Sequence, residues 1–154
     1  MGGLCLVTCV AVGIYLYRQS WRRVQFYTGA IEFCHYLQTA IGFTRPPLPV
    51  VVQQFLPQAT TEFATVLTGY GQLLDQQTAL TREKCTALSP DPDVAEFLYQ
   101  LGRTGSVTEQ AKIANALQVF DEKKQRADTH LRTKASITLK LLIIIGIAGV
   151  ILWI

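Results

Sequence analysis

MGGLCLVTCVAVGIYLY, residues 1–17, and LLIIIGIAGVILWI, residues 141–154, decide the architecture, because neither stretch contains a charged side chain. As a helix, the first stretch would extend roughly 26 Å, close to the roughly 30 Å hydrocarbon core of a bilayer. The second gives about 21 Å alone and about 27 Å with residues 137–140, since the amine of Lys140 can reach the headgroups. The sequence therefore predicts two membrane-spanning helices, residues 1–17 and 137–154.

The alternative for the first stretch is a cleaved signal peptide. Signal peptides begin with a basic segment and end with a small-x-small cleavage site. Here the first base is Arg18, which follows the apolar run, and no convincing cleavage pattern precedes it. An uncleaved anchor is the better interpretation.

Basic residues flank both apolar stretches. Arg18, Arg22 and Arg23 follow the first, and residues 119–140 carry six bases against three acids, whereas residues 24–118 have a net charge of −3. Because Lys and Arg mark the cytosolic side of a membrane protein, we expect a two-pass cell-membrane protein with both termini outside and the middle in the cytosol. The acidic middle argues against nucleic acid as a partner, since phosphate contacts need a basic surface.

The middle of the chain has the spacing of amphipathic helices and no alternating pattern that would predict strands. Apolar residues at steps of three and four predict a first helix that ends before the prolines at 46–47, and then a short second helix. A third helix is expected from residue 60 or 61, and a fourth from about 72 to 88. Gly69 and Gly71 leave open whether the chain breaks or bends between these two.

Ser89-Pro90-Asp91-Pro92-Asp93 is the clearest boundary between helices. Asp91 suits the N-cap position and Pro92 the first helical position, so a fifth helix should follow. The pattern Ser106-Val107-Thr108-Glu109 is a capping box and predicts the start of the last helix. Because no proline follows Pro92, this helix should run without interruption into the second span.

The sequence thus predicts an all-α protein, a cytosolic bundle of about six helices whose first and last helices continue into two transmembrane spans. Its expected segments are an N-terminal transmembrane helix (1–17), a cytosolic helical domain (18–120), a polar helical stalk (121–136) and a C-terminal transmembrane helix (137–154).

The residues that carry chemistry in enzymes are sparse and scattered. His35 and His130 are far apart in sequence, and no Cys-x-x-Cys pair, His-x-x-x-His pair or glycine-rich phosphate loop is present. Cys34 and Cys85 are expected in the core of a reduced domain. We therefore expect no catalytic, cofactor-binding or metal-binding residues, and no enzyme.

Three groups of residues are candidates for contacts with membrane or protein. The membrane-flanking basic collar consists of Arg18, Arg22, Arg23, Lys134 and Lys140. It should hold the protein on an anionic leaflet, although simple topology determinants would look the same. The candidate partner surface consists of Lys123, Lys124, Arg126 and Arg132. Gly146 and Gly149 would let another membrane helix approach closely.

Several short motifs of the middle follow one another in an order typical of one family. Residues 37–41 read LQTAI, residues 47–48 read PL, and residues 98–102 read LYQLG, ahead of Gln110 and Ile113. In this order and over nearly its whole length, the chain resembles the stage III sporulation protein AB family of endospore-forming bacteria. That family typically has Leu-Glu-x-Glu-Ile, Thr-Pro-Leu and Leu-x-x-Phe-Gly.

The resemblance has three departures. Gln38 and Ala40 replace both acids of the first motif, the segment between Gly102 and Gln110 is shorter than usual, and the tryptophan common in the fourth helix is absent. These departures affect polar contacts that the family shares and leave the order of elements intact.

The resemblance implies a domain similar to the inner-membrane platform proteins of type II secretion and type IV pilus systems. Such a protein would lie in the mother-cell membrane around the forespore, within a transenvelope channel complex. The implied partners are membrane lipids, a secretion-type cytosolic ATPase and channel subunits, and a homo-oligomer stays open. The alternatives are a platform component of a secretion or pilus system outside sporulation, and a small membrane-anchored adaptor or regulator.

Overall fold

A computed structural model describes residues 2–76, 79–101, 103 and 106–153, and this part of the chain contains helices and no strand. The helices are α1 (Gly2–Phe43), α2 (Leu48–Phe55), a 3₁₀ turn (Leu56–Gln58), α3 (Thr61–Asp75), α4 (Arg82–Leu88), α5 (Pro92–Gln100) and α6 (Ser106–Trp153). The predicted all-α class and the number of helices are confirmed.

Within those residues, none of the helices reaches the combination of length and apolar content that crossing a membrane requires. The two transmembrane helices of the sequence analysis are therefore not confirmed.

The chain divides into two compact units. The terminal unit comprises Met1–Val24 and Lys124–Ile154, and the central unit comprises Gln25–Lys123. This division does not test the four segments expected from the sequence, and they stay predictions.

The core of the central unit is built around the inner face of α1. Ala30, Cys34 and Leu37, which follow one another at steps of three and four, are buried, and Phe33 is fully buried beside them. The ring of Phe33 lies 5.2 Å from that of Phe55 and 5.8 Å from that of Phe63, measured between ring centroids. Phe33 thereby joins α1 to α2 and α3, a role that its position in the sequence did not indicate.

The first helix ends at the predicted prolines. The amides of Thr44 and Arg45 both donate to the carbonyl oxygen of Ala40, and Arg45 then takes a positive φ of 44°. A residue before proline resists the right-handed helical conformation, so the chain leaves the helix here. Pro47 precedes α2 and accepts from the amides of its first turn.

The predicted boundary between the third and fourth helices is wrong. Residues 72–75 belong to α3, which runs through Gly69 and Gly71, and α4 begins only at Arg82. A Cβ added at Gly69 would lie 2.5 Å from Cδ2 of Leu88. The glycine is therefore a place where α4 packs closely on α3, and the helix continues through it.

The start of α5 agrees with its predicted cap. The side chain of Asp91 accepts a hydrogen bond of 2.8 Å from the amide of Asp93, and Pro92 occupies the first helical position. Val94 and Leu98 of α5 are fully buried, as are Ile113 and Phe120 of α6. The side chains of Ser106 and Val107, which begin the predicted capping box of α6, lie outside the described part.

Candidate functional site

One buried carboxylate organises the polar interior of the central unit. The Asp91 side chain, 11 % exposed, accepts hydrogen bonds from the hydroxyl of Tyr27 at 2.5 Å and from Nζ of Lys123 at 2.9 Å. Lys123 also pairs with Asp93. The Asp91 cluster, defined as Tyr27, Asp91, Asp93 and Lys123, thus ties α1 and α6 to the first turn of α5.

The electrostatics of this cluster favour the ionised carboxylate. Burial alone would raise the pKa of Asp91, but hydrogen bonds from Tyr27 and Lys123 outweigh it and hold that pKa below its usual range. Burial likewise works against the charge of Lys123, and hydrogen bonds to Asp93 and Asp91 outweigh it and raise the Lys123 pKa. Because all partners are satisfied within the protein, the cluster acts as a structural tie between helices.

A second polar group joins α4 to α5 on the surface. Nη2 of Arg82 lies 2.8 Å from Oε1 of Glu96, and Gln100 donates to the same oxygen. Arg103 stacks on the ring of Tyr99, with its guanidinium carbon 4.5 Å from the ring centroid. These side chains hold one another in place, so this face is an ordered surface.

The cysteines of the central unit are buried, as predicted. Cys34 and Cys85 are both fully enclosed and unpaired with each other. Burial raises the pKa of the Cys34 thiol to about 12, which removes the thiolate that a nucleophile needs. Across the described residues, no three His, Cys, Asp or Glu side chains are grouped as metal ligands.

Charge is separated between the two units. The terminal unit contains eight bases and one acid, Asp128, whereas the central unit contains six bases and ten acids. All five residues of the basic collar belong to the terminal unit, and all five side chains are exposed. The structure therefore places the collar on one unit, and its role on a membrane stays a prediction.

The terminal unit also exposes large apolar side chains on both of its helices. On α1 these are Val7, Val10, Val12, Ile14, Tyr15, Leu16 and Tyr17, each at least 43 % exposed. On α6 they are Ile137, Leu139, Leu141, Ile143, Ile144, Ile145 and Ile147, each at least 52 % exposed. Contiguous apolar surface on this scale is characteristic of a membrane or protein contact.

The residues of the candidate partner surface have different surroundings. Lys123 is 27 % exposed and is engaged by Asp91 and Asp93, while Arg132 pairs with Asp128 one turn earlier on α6. Lys124 is half-buried and Arg126 is exposed. Gly146 and Gly149 lie in α6, but their surroundings are outside the described part, so the predicted helix contact there is untested.

The internal role of Lys123 was not predicted from the sequence. Its partner Asp91 stands 32 positions away, and Tyr27 stands 64 positions from Asp91. The only local signal was the N-cap pattern, which identified Asp91 but not the side chains that donate hydrogen bonds to it. A tyrosine in α1 and a lysine three residues after Phe120 are compatible with many other arrangements.

Comparison with known proteins gives one match. The family model described as "Stage III sporulation protein AB" matches residues 1–154, the whole chain. Searches of the curated proteins and of the solved structures gave no match. The family assignment rests on the full-length match, and it agrees with the resemblance found in the motifs. The chain belongs to the stage III sporulation protein AB family.

Proposed function

We propose that this protein is a non-catalytic, two-pass membrane platform of a sporulation transenvelope channel complex. It would lie in the mother-cell membrane around the forespore and pass conformational work from a secretion-type cytosolic ATPase to channel subunits. The family match supports the sporulation role. The platform role extends the resemblance to secretion and pilus platform proteins.

The observation that carries the membrane part of this proposal is the surface of the terminal unit. Apolar side chains are exposed along α1 up to Tyr17 and along α6 from Ile137. The collar base Arg18 directly follows the first stretch, and Lys134 precedes the second by three residues. An apolar surface bordered by cations is the pattern of a helix pair inserted from an anionic leaflet. Both predicted spans are shorter than the roughly 20 residues of a typical span, so local thinning of the bilayer would accompany insertion.

Extraction from membranes tests this part. The full chain should stay in the membrane pellet after washing with alkaline carbonate and with high salt, and should leave it only with detergent. Release by salt alone would show a peripheral protein held by the collar charges and would refute the two-pass topology.

The partner part of the proposal rests on the polar segment of α6. Lys124 and Arg132 supply positive charge to this segment, which carries few buried apolar side chains. Such a helix is suited to a charged partner surface rather than to further packing within the chain.

Co-purification tests the partner. The full chain in mild detergent should retain a cytosolic ATPase and membrane channel subunits from sporulating cells, and Lys124→Glu with Arg132→Glu should weaken retention at least tenfold. A matched pair on the central unit, Lys84→Glu with Arg45→Glu, should change it less than twofold. Retention of neither partner by the unaltered chain would refute the platform role and favour a membrane-anchored adaptor.

A further inference from the structure

A groove runs between α1 and α6 within the terminal unit. It has a volume of about 530 Å³, within the range of roughly 300–1,000 Å³ that small-molecule sites occupy. The two helices approach each other where a Cβ at Gly13 would lie 3.8 Å from Cγ2 of Thr138. Gly13 and Thr138 both line the groove, and its walls come from both helices.

The two ends of the groove differ in polarity. Arg18 and Ser20 of α1 and Lys134 of α6 line one end, and Val10 of α1 and Leu142 of α6 line the other. Low residue numbers on α1 go with high numbers on α6, so the two helices run antiparallel here. From Arg18 to Val10 the wall extends roughly 12 Å along the helix axis.

The cationic end is available to a ligand. Arg18 and Lys134 are exposed, and neither has a carboxylate partner among the described residues. The only acid of the terminal unit, Asp128, is engaged by Arg132. Two unneutralised cations at the mouth of a groove favour an anion, and a guanidinium is well suited to a phosphate.

The rest of the groove excludes a purely ionic ligand. Beyond the cations its walls include Ile14, Ala135 and Leu139, which offer no polar group to a hydrated ion, and Thr138 contributes a single hydroxyl. An occupant that matches both parts must carry an anionic head and an apolar tail, in that order along the helices. Basic pockets between membrane helices on the cytosolic side are known sites for anionic lipid headgroups.

We propose that this groove binds one anionic phospholipid, with its phosphate between Arg18 and Lys134 and an acyl chain along the apolar wall toward Val10 and Leu142. The inference rests on the membrane location proposed above, because a resident lipid needs a bilayer around the two helices. The inference goes further than the membrane location because it assigns one lipid to one site. The basic collar as a whole would attract anionic lipids only in general.

Lipid retention measured by native mass spectrometry tests the site. The full chain would be released from nanodiscs that contain phosphatidylcholine and phosphatidylglycerol, and one phosphatidylglycerol should remain bound. Arg18→Gln with Lys134→Gln should lower that retention roughly tenfold or more, since each base contributes a several-fold preference for anionic lipid. The matched control, Arg23→Gln with Lys140→Gln, removes the same charge from the collar outside the groove and should change retention less than twofold.

A second variant tests the apolar part without changing charge. Ala135→Phe places a ring in the groove and should reduce retention of phosphatidylglycerol as the charge variant does. Circular dichroism checks that Arg18→Gln with Lys134→Gln keeps its helices, and the charge-conserving Arg18→Lys with Lys134→Arg should keep the lipid bound.

Several outcomes would overturn the proposal. Equal retention of phosphatidylcholine would refute the anionic site, and an equal loss in the collar control would reduce it to general attraction. Displacement by glycerol 3-phosphate, which lacks acyl chains, would show a phosphate site only. A protein that resists carbonate extraction but shows none of the expected retention refutes the lipid site alone, whereas a protein released by salt refutes the topology beneath it.

Discussion

Tyr27 of α1, Lys123 of α6 and Asp91 at the N-cap of α5 are far apart in the sequence, yet their side chains meet at one carboxylate. The sequence predicts the local part of this arrangement, because an aspartate before a proline is an N-cap signal. The contacts with Tyr27 and Lys123 depend on how the helices pack, and no local pattern encodes that. At the scale of the residue, the Asp91 cap was predictable and its long-range partners were not.

Removing the charge of Asp91 should destabilise the central unit. We expect Asp91→Asn to lower the free energy of unfolding by about 1–3 kcal/mol, because hydrogen bonds to a charged group are lost while the cap is kept. Thermal unfolding followed by circular dichroism measures this. Asp75→Asn is the control, at an exposed position at the end of α3, and should stay within about 0.5 kcal/mol of the parent.

The contribution of Asp91 should disappear in acid. Its pKa in the folded protein is below the ordinary value of 3.8, so its stabilisation is complete above that value and is lost as the pH falls through the folded pKa. The raised pKa of Lys123 keeps its own contribution complete up to pH 10.5, the ordinary value for lysine. The difference in stability between the parent and Asp91→Asn should therefore be constant from about pH 5 to 10 and shrink below pH 3.8. A difference that grows on acidification would contradict this assignment.

Two glycines of α1 should respond to alanine in opposite directions. A Cβ at Gly29 would lie 2.6 Å from Cβ of Phe63 and would also clash with the hydroxyl of Thr60, which donates to the carbonyl of Gln25. Gly29→Ala should cost about 1–3 kcal/mol through overpacking. Gly42 has no neighbour within 4 Å of such an atom, so Gly42→Ala should be neutral or stabilise by up to about 1 kcal/mol. Equal effects in chemical denaturation would refute the close contact between α1 and α3.

At the scale of the element, apolar spacing predicted α1, α2, α3 and α5 well, since each presents one face to a shared core. The boundary between α3 and α4 could not be predicted in the same way. A glycine within a helical pattern lowers helix propensity, and only the packing of Leu88 on Gly69 explains why α3 continues. At Gly69 the low helix propensity of glycine favours a break, whereas packing against Leu88 favours a continuous helix, and the packing decides the outcome.

The aromatic junction of α1, α2 and α3 should dominate the stability of the central unit. Phe33→Ala should lower the free energy of unfolding by about 3–5 kcal/mol, because its fully buried ring contacts those of Phe55 and Phe63. Phe43→Ala is a control with the same chemical change, at a ring that is 86 % exposed, and should change stability by less than about 0.5 kcal/mol. Urea unfolding of both variants distinguishes the two positions.

At the scale of the whole molecule, the separation of charge was visible in the sequence and the groove was not. Counting bases along the chain is sufficient to find the collar. The groove exists only because residues 10–20 of α1 lie beside residues 131–142 of α6, and that pairing brings Arg18 and Lys134 to one end. The basic residues of the candidate site were therefore predictable from the sequence, but the pairing of α1 with α6 that forms the groove was not.

The collar should also determine the orientation of the chain. Replacing Arg18, Arg22 and Arg23 with Gln should lower the fraction of molecules whose termini face outward, because positive flanks are held on the cytosolic side. Alkaline phosphatase fused after Ile154 reports this fraction, since it is active only outside the cytosol. The control replaces Arg45, Lys84 and Arg103, three bases of the central unit, and should leave phosphatase activity unchanged. A phosphatase fusion that is inactive on the unaltered chain would contradict the proposed orientation.

The Asp91 cluster has a consequence for how sequences of this family vary. Loss of the acid would remove the carboxylate to which the Tyr27 hydroxyl donates and leave Lys123 with Asp93 alone, and loss of the lysine would leave a carboxylate there without its cation. Substitutions at positions 27, 91 and 123 should therefore be tolerated together far more often than singly. Across homologous chains the three columns should covary, with apolar residues replacing all three at once.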